Sequence, residues 1–392
     1  MPITILVGTH YFPAHGGGVE RVAGELVKHL SRKSGVRIVW VASDCDASPP
    51  DSQVTQHLRM RSWNGMEKRT GLPFPVWFPH QLPSLWRAVG AADVIHVHDY
   101  LYLGNLILVV CGKIRRKPVL VTQHIGFIPY KSRLLRGLLT ILNHTLGKLI
   151  LSTADYTVFV SEPVRRYFMA FTGFKRPPRL INNGLDTTLF RVADGETRNR
   201  VRATLGVKTD QLVFLFVGRF VEKKGLGILE LLIRSTPQCL WLMVGQGPME
   251  PERWGAVNVK VFRGMQQSAL VSIYQSSDLL VLPSKGEGFP LVVQEAMACG
   301  TPVMVGEETA EALVTLGGPA MSADAESSDA AKAWQKALAT ILTKPASLAE
   351  MRTVVAAFAH GTWSWEKCAE DYLHVIEGLV RDAATSRQHP PN

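Results

Sequence analysis

Glu287 and Glu295 stand eight positions apart, separated by Gly288, Phe289, Pro290 and a short apolar run. Ionised carboxylates suit hydroxyl groups, because each oxygen accepts hydrogen bonds and none has to donate. The apolar run Leu279-Leu280-Val281-Leu282 delivers the chain to this point as a strand. Pro290 then starts a helix, which Gly300-Thr301-Pro302 ends. Glu287 therefore belongs to the loop before the helix, and Glu295 lies more than one turn inside it. The N–H groups and positive dipole end of that helix, around Gly288, Phe289 and Leu291, form an anion site suited to phosphate. Sugar hydroxyls, diphosphate and ribose diol follow one another in this way in a nucleotide sugar. Two solvated glutamates give the same spacing, so the pair alone leaves both readings open.

Other strand ends carry further candidates. Val217-Gly218-Arg219 closes a strand, and Arg219 and Lys224 share the loop that follows, where both would meet one anion. A solvated basic loop is the alternative. Gly16-Gly17-Gly18 follows the first strand and opens a helix, which lets the backbone approach a ligand. The spacing is not G-x-G-x-x-G, and a plain β–α turn accounts for it equally well. Gly245-Gln246-Gly247-Pro248 and Phe262-Arg263-Gly264 end two more strands. His124 lies just past a strand, as a structural hydrogen-bonder or as a reacting group. His96-Val97-His98-Asp99 stands at another strand end, where a metal is conceivable from ligand types alone.

These loops need a scaffold, and the chain alternates strand-like and helix-like segments twice. In the first half strands fit Ile3–Val7, Arg37–Ala42, Asp93–Val97, Val119–Thr122 and Tyr156–Val160, with helices at Val19–Leu30, near 133–151 and at 162–171. The second half restarts with strands at Leu212–Val217, Leu240–Val244, Val259–Phe262, Leu279–Leu282 and Pro302–Val305. Two such runs predict two doubly wound α/β domains. The boundary falls near residue 190, where the chain turns polar, giving domains over 1–190 and 191–362. The end, 383–392, reads as a flexible tail.

Composition narrows the function classes. With 392 residues, 46% hydrophobic and 19% charged, the chain is globular and not disordered. Five dispersed cysteines without a C-x-x-C pair fit reduced thiols in a cytoplasm rather than a disulfide frame or a zinc site. The start reads as a strand and not as a signal peptide, and no uninterrupted run of about twenty apolar residues predicts a membrane span. The net charge is +10, yet residues 1–190 hold 23 lysines and arginines against 11 acids, so the whole excess lies in the first half. That half should meet an anionic partner. Lys113, Arg115, Arg116 and Lys117 cluster before a strand, and Lys131 to Arg136 begin a helix mixing cations with large aliphatics. Such a helix docks on an anionic bilayer, or packs on the core with a solvated basic side. Nucleic acid is not expected, since no reading motif or interleaved stacking aromatics occur.

The block Ser284-Lys285-Gly286-Glu287-Gly288-Phe289-Pro290 through Glu295 to Val303 closely resembles the signature of the retaining glycosyltransferases of family 4, and the likeness extends through most of the chain. The resemblance implies the GT-B architecture: two Rossmann-like domains facing a cleft, with a C-terminal helix (363–382) crossing back to the N-terminal domain. It implies a sugar transferred from a UDP- or GDP-linked donor to an acceptor hydroxyl, with no metal and no cofactor. Arg219 and Lys224 would neutralise the leaving diphosphate, Glu287 would hold the sugar and Glu295 the ribose. His124 would lie near the reacting centre. Gly16, Gly17, Gly18, Gly218, Gly245, Phe262, Arg263, Gly264, Gly288, Phe289, Pro290 and Leu291 would surround the donor, with His98 and Asp99 on the acceptor side. The acceptor would be a glycan, lipopolysaccharide-type or lipid-linked molecule, met in the cytoplasm or on the inner face of the membrane. A nucleotide-sugar epimerase or a glycosyl phosphorylase of related architecture is the competing reading, and a nucleic-acid-binding protein a remote one.

Overall fold

In the computed structural model, residues 2–70, 74–126, 132–285 and 289–388 are described. The chain divides into two compact units. Unit 1 takes the chain up to Gly184 together with Trp365 onward, and unit 2 spans Leu185–Ser364.

Unit 1 is built on strands β1 (Ile3–Gly8), β2 (Val36–Ser43) and β3 (Thr55–Met60), a short antiparallel pair β4 (Ser62–Trp63) and β5 (Val76–Trp77), then β6 (Val94–His98), β7 (Val119–Gln123), β8 (Tyr156–Phe159) and β9 (Arg179–Leu180). Seven of them form one parallel sheet in the order β3-β2-β1-β6-β7-β8-β9. β6 and β7 are buried throughout. They read as unbroken apolar runs, apart from His96, His98, Thr122 and Gln123, because helices cover a parallel sheet on both faces. Strand order reverses between β1 and β6, which pair with Val7 opposite His96. The crevice outside such a reversal is where doubly wound sheets bind ligands.

Unit 2 repeats the plan with β10 (Val213–Val217), β11 (Leu240–Val244), β12 (Val259–Phe262), β13 (Leu279–Leu282), β14 (Val303–Gly306) and β15 (Met321–Ala323). Their order, β12-β11-β10-β13-β14-β15, puts its reversal between β10 and β13, whose following loops carry Arg219 and the 284–290 segment. Trp241, Trp334 and Trp363 are fully buried in its core.

The last helix, Trp365–Gln388, belongs to unit 1. Lys33 Nζ meets Glu370 at 2.8 Å, Arg179 meets Asp371 at 2.6 Å, and the Thr122 hydroxyl donates to Tyr372 at 3.2 Å. The helix continues to Gln388, beyond the expected 382, and residues 389–392 of the expected tail lie outside the described residues.

One helical stretch departs from expectation. Residues 133–153 form a 21-residue helix of mean hydropathy 1.2, long and apolar enough by composition to cross a membrane. The interruptions by Arg136 and Lys148 hid it from a search for an unbroken apolar run. Its middle is a π-helical turn, Asn143–Gly147, where Asn143 accepts from the Tyr100 hydroxyl and donates to Tyr167 at 2.9 Å. Leu139, Ile150 and Leu151 are buried with it. The helix is therefore fastened along unit 1 by one edge, while Leu134, Leu138, Ile141 and Leu149 are exposed.

Candidate active site

In unit 2 the carboxyl edge of the sheet carries the basic loop. Arg219 follows β10 and is exposed, and its side chain makes no hydrogen bond or ion pair among the described residues. Lys224 ends a 3₁₀ turn, Glu222–Lys224, which Gly225 closes in a left-handed conformation at φ +75°. A Cβ at Gly225 would also lie 2.2 Å from the carbonyl oxygen of Pro283, so only glycine lets this loop settle against the strand end of β13. Gly245 fills a comparable place: a Cβ there would lie 1.9 Å from the carbonyl oxygen of Gly218. Its first duty is thus to let the Arg219 loop pack, whatever it does toward a ligand.

The helix Leu291–Ala298 starts one residue later than expected, with Pro290 as its N-cap. Glu295 is buried within it, and the Tyr274 hydroxyl donates to its Oε2 at 2.8 Å. Tyr274 lies 21 residues away on another helix, so no local pattern pointed to it. Two of the expected donor contacts can only be main-chain ones. Phe289 is buried and its ring packs 5.6 Å from Trp363, which restricts it to a main-chain role. Arg263 is spent on a two-pronged pair with Glu252 (2.7 and 2.9 Å) and lies over Phe220, so it offers a ligand backbone and not charge. Phe262 and Gly264 flank it at the end of β12, Gly264 at φ +64°. Glu287 and Gly288 lie outside the described residues.

Unit 1 brings the remaining candidates to the carboxyl ends of β1, β6 and β7. Gly16 is left-handed at φ +81°, and Gly18 opens the helix Gly18–Leu30. Gly17 has a more specific reason. A Cβ there would lie 2.0 Å from Oε2 of Glu20, whose carboxyl is buried over it. Burial raises the pKa of Glu20. The loop before the glycines is fixed by His15, stacked on Tyr11 at 3.7 Å and paired with Asp46 (2.8 Å) and Glu67 (3.2 Å). The Tyr11 hydroxyl donates to Glu67 at 2.6 Å. None of this cluster was visible in the sequence, because its members come from three separate segments.

Beyond β6, Asp99 sits at φ +62°, a conformation that costs a residue with a side chain about 1 kcal/mol or more. Asn105 holds it there by donating to the carbonyls of His98 (2.6 Å) and Asp99 (2.8 Å). Asp99 Oδ1 accepts the backbone N–H of His124 at 3.1 Å. Burial pushes this carboxyl up to about 7, so near neutral pH it exists in both protonation states.

His98 Nδ1 and His124 Nε2 share a hydrogen bond of 2.9 Å, and His96 Nε2 meets the Thr122 hydroxyl at 2.7 Å. All three rings are buried, and burial holds His96 and His124 down at about 3 and His98 well below its ordinary value. They are neutral, hydrogen-bonding imidazoles. His98 is fully enclosed between the other two rings, which removes it from direct contact with an acceptor and makes it the support of His124. Among the described residues no group of three His, Cys, Asp or Glu side chains is arranged to hold a metal.

Two family models match this chain: Glycosyltransferase Family 4 over residues 16–189, and Glycosyl transferases group 1 over 197–353. The D-inositol 3-phosphate glycosyltransferase of Segniliparus rotundus is 32% identical over 222 residues, 51% of this chain and about half (47%) of that relative. Sucrose-phosphate synthase from Thermosynechococcus elongatus superposes with a TM-score of 0.75 at 21% identity, covering 97% of this chain and 100% of that one. Anabaena HepE, solved in complex with UDP-glucose, gives 0.74 at 16% identity, covering 96% and 100%. The motif loops stand at the reversals of two parallel sheets and the two models together take in most of the sequence: the chain belongs to the glycosyltransferases of family 4, on the GT-B fold.

Proposed function

We propose that the protein transfers a sugar from a UDP- or GDP-linked donor to an acceptor hydroxyl with retention of anomeric configuration and without a metal. The observation that carries this reading is the exposed Arg219 guanidinium at the reversal of the unit 2 sheet, bonded to none of the described residues and on the same loop as Lys224. The bond between the anomeric carbon and the diphosphate oxygen breaks while the acceptor oxygen bonds to that carbon on the same face. The acceptor proton passes to the leaving diphosphate. Arg219, Lys224 and the N–H groups at Leu291 stabilise the charge that develops there. Glu295, oriented by Tyr274, accepts from the ribose diol. Glu287 holds the sugar. His124, being neutral, positions a donor-sugar hydroxyl by hydrogen bonding and carries no charge to the reaction. Asp99 faces the acceptor side with a carboxyl poised between its two forms. The UDP-glucose held by HepE supports a uridine donor. Incubation with a panel of UDP- and GDP-sugars should give slow release of nucleoside diphosphate from one of them; an epimerised nucleotide sugar, or no turnover of any, would refute the reading.

The acceptor is proposed to be membrane-borne, in glycolipid, lipopolysaccharide or surface-glycan synthesis, with the protein peripheral on the inner face of the membrane. Support comes from the outward stripe of the helix 133–153, where Leu134 is 84% exposed, Leu138 51%, Ile141 61% and Leu149 60%. Spacings of four and three put Leu134, Leu138 and Ile141 on one line of the helix, and Leu149 is exposed beyond the π-helical turn. Arg133, Arg136 and Lys148 flank them; Lys131 lies outside the described residues. Each apolar side chain entering lipid contributes about 1.5–3 kcal/mol against ~1 kcal/mol per cation, so the stripe anchors and the cations select. Binding to anionic vesicles should exceed binding to neutral ones, and Leu134→Asp with Leu138→Asp should abolish both. Equal sedimentation with neutral and anionic vesicles would sink the proposal.

A further inference from the structure

At the amino edge of the unit 1 sheet, away from the carboxyl-edge candidates, five cations line one hollow of about 280 Å³: Lys113, Arg116, Lys117, Lys175 and Arg176. That is below the roughly 300–1,000 Å³ of sites for drug-sized molecules and suits a small anion. Four stretches of chain supply the walls: 113–118 from the end of the helix Leu103–Ile114 into β7, the entry to β8, the entry to β9, and the last turns of the helix Trp365–Gln388. Among the described residues two carboxylates share the hollow. Asp155 is held by Lys113 (2.6 Å), by Lys175 (2.9 Å) and by the backbone N–H of Val119 (2.8 Å). Asp382 pairs with Arg176 at 2.7 Å. The lining therefore keeps three positive charges in excess. Lys113 registers this crowding: burial lowers its pKa despite Asp155, and Lys175 adds to the lowering.

The backbone adds an independent argument. Lys117 N–H bonds to the carbonyl of Gly112 (2.9 Å) and Arg116 N–H to that of Lys113 (3.0 Å), the pair of bonds that closes a helix in a Schellman motif. Arg116 occupies the position that glycine normally takes, at φ +51°. An arginine placed there is costlier for the fold than glycine would be, yet its side chain lines the hollow.

We propose that this hollow is a binding site for a phosphate group, separate from the donor site and held by Arg116 with Lys113, Lys175 and Arg176. The chemistry is that of a phosphate monoester, whether free or as the headgroup of an anionic lipid. The site stands apart from the proposed reaction and does not depend on it.

The test titrates inorganic phosphate by calorimetry into a parent variant carrying Arg219→Ala and Lys224→Ala, which silences the donor-side cations. One saturable site is expected. Arg116→Gly in that parent should weaken it about tenfold, the worth of one charge-assisted contact. Lys175→Met should weaken it similarly, and Arg200→Ala, an exposed cation on unit 2, should not. The source is read from vesicles: if Arg116→Gly also weakens binding to phosphatidic acid vesicles the ligand is a headgroup, and if it leaves that binding unchanged the ligand is a free phosphate. Absence of saturable phosphate binding, or an Arg116→Gly titration equal to the parent's, overturns the proposal.

Discussion

Replacing Arg219 with alanine is expected to lower kcat about 100- to 1,000-fold, the usual loss when one donor aimed at a developing oxyanion is removed. The same change should leave the melting temperature within about 2 °C of wild type. Both halves follow from its surroundings. Arg219 is exposed and makes no bond among the described residues, so the fold loses nothing when it goes. Its loop, by contrast, is held by interactions that do not involve its side chain: Gly245 against the Gly218 carbonyl, Gly225 against the Pro283 carbonyl, and Lys285 N–H to the carbonyl of Lys223 at 2.9 Å. The guanidinium is thus held by none of the described residues and stands on a braced loop, which is what electrostatic preorganisation requires.

Arg219→Lys should recover only part of the loss, because an ammonium cannot present the parallel pair of N–H groups that a guanidinium offers to a phosphate. Lys224→Ala should cost a similar factor in kcat. Steady-state kinetics with the donor found in the panel measures all three. If Arg219→Ala kept kcat and only raised KM, the residue would bind ground state and transition state alike, and its assignment to the leaving group would be wrong.

What the sequence revealed, and what it hid, divides along the range of the interactions. β6, β7, β10, β11 and β13 were legible because a strand covered on both faces must be apolar nearly throughout. The Arg219–Lys224 loop was legible because all its parts lie within seven residues. Pairings across distance were not. Nothing near Glu295 names Tyr274 as its partner, and nothing near Arg263 says that Glu252 takes its charge. His98 and Asp99 looked alike as loop-end polar residues. Only the packing of β6 against β7 shows that His98 is sealed beneath His124 while Asp99 turns left-handed beyond it.

The helix 133–153 was expected, near 133–151, but which of its sides faces the core was not legible. Leucines and isoleucine occupy two of its sides, Leu135, Leu139 and Leu142 on one and Leu134, Leu138 and Ile141 on the other. Periodicity can find an apolar stripe, but it cannot choose between two. The tertiary fold chose, burying Leu139 and leaving Leu134 in solvent.

The buried histidines set the protein's response to acid. His96, His98 and His124 are neutral in the fold, while in the unfolded chain each would take up a proton near pH 6.5. Their folded pKa values are depressed, so the stability they allow is complete above about 6.5 and is lost as pH falls from there toward about 3. Each withdraws at most about 1.4 kcal/mol per pH unit. Two carboxyls oppose them. Asp99 titrates at about 7 in the fold, and Glu20 is also raised. Their folded values are raised, so the fold keeps protons that the unfolded chain would release, and both lend stability as pH drops toward about 4. The three imidazoles outnumber the two carboxyls, so the balance is a net loss of stability as pH falls below about 6.5.

All five groups are in unit 1. The only histidine of unit 2 is His360, which is exposed. Calorimetric scans should therefore show one transition falling by several degrees between pH 6.5 and 5, while the other moves little. Asp99→Asn is the decisive variant. Removing an opposing carboxyl should stabilise unit 1 at pH 8, where a buried charge is lost, and make its decline in acid steeper than wild type's. A transition that keeps its temperature from pH 7 to 5, or an Asp99→Asn protein with a shallower decline, would mean that these rings are charged or hydrated and that the neutral-imidazole role of His124 is wrong.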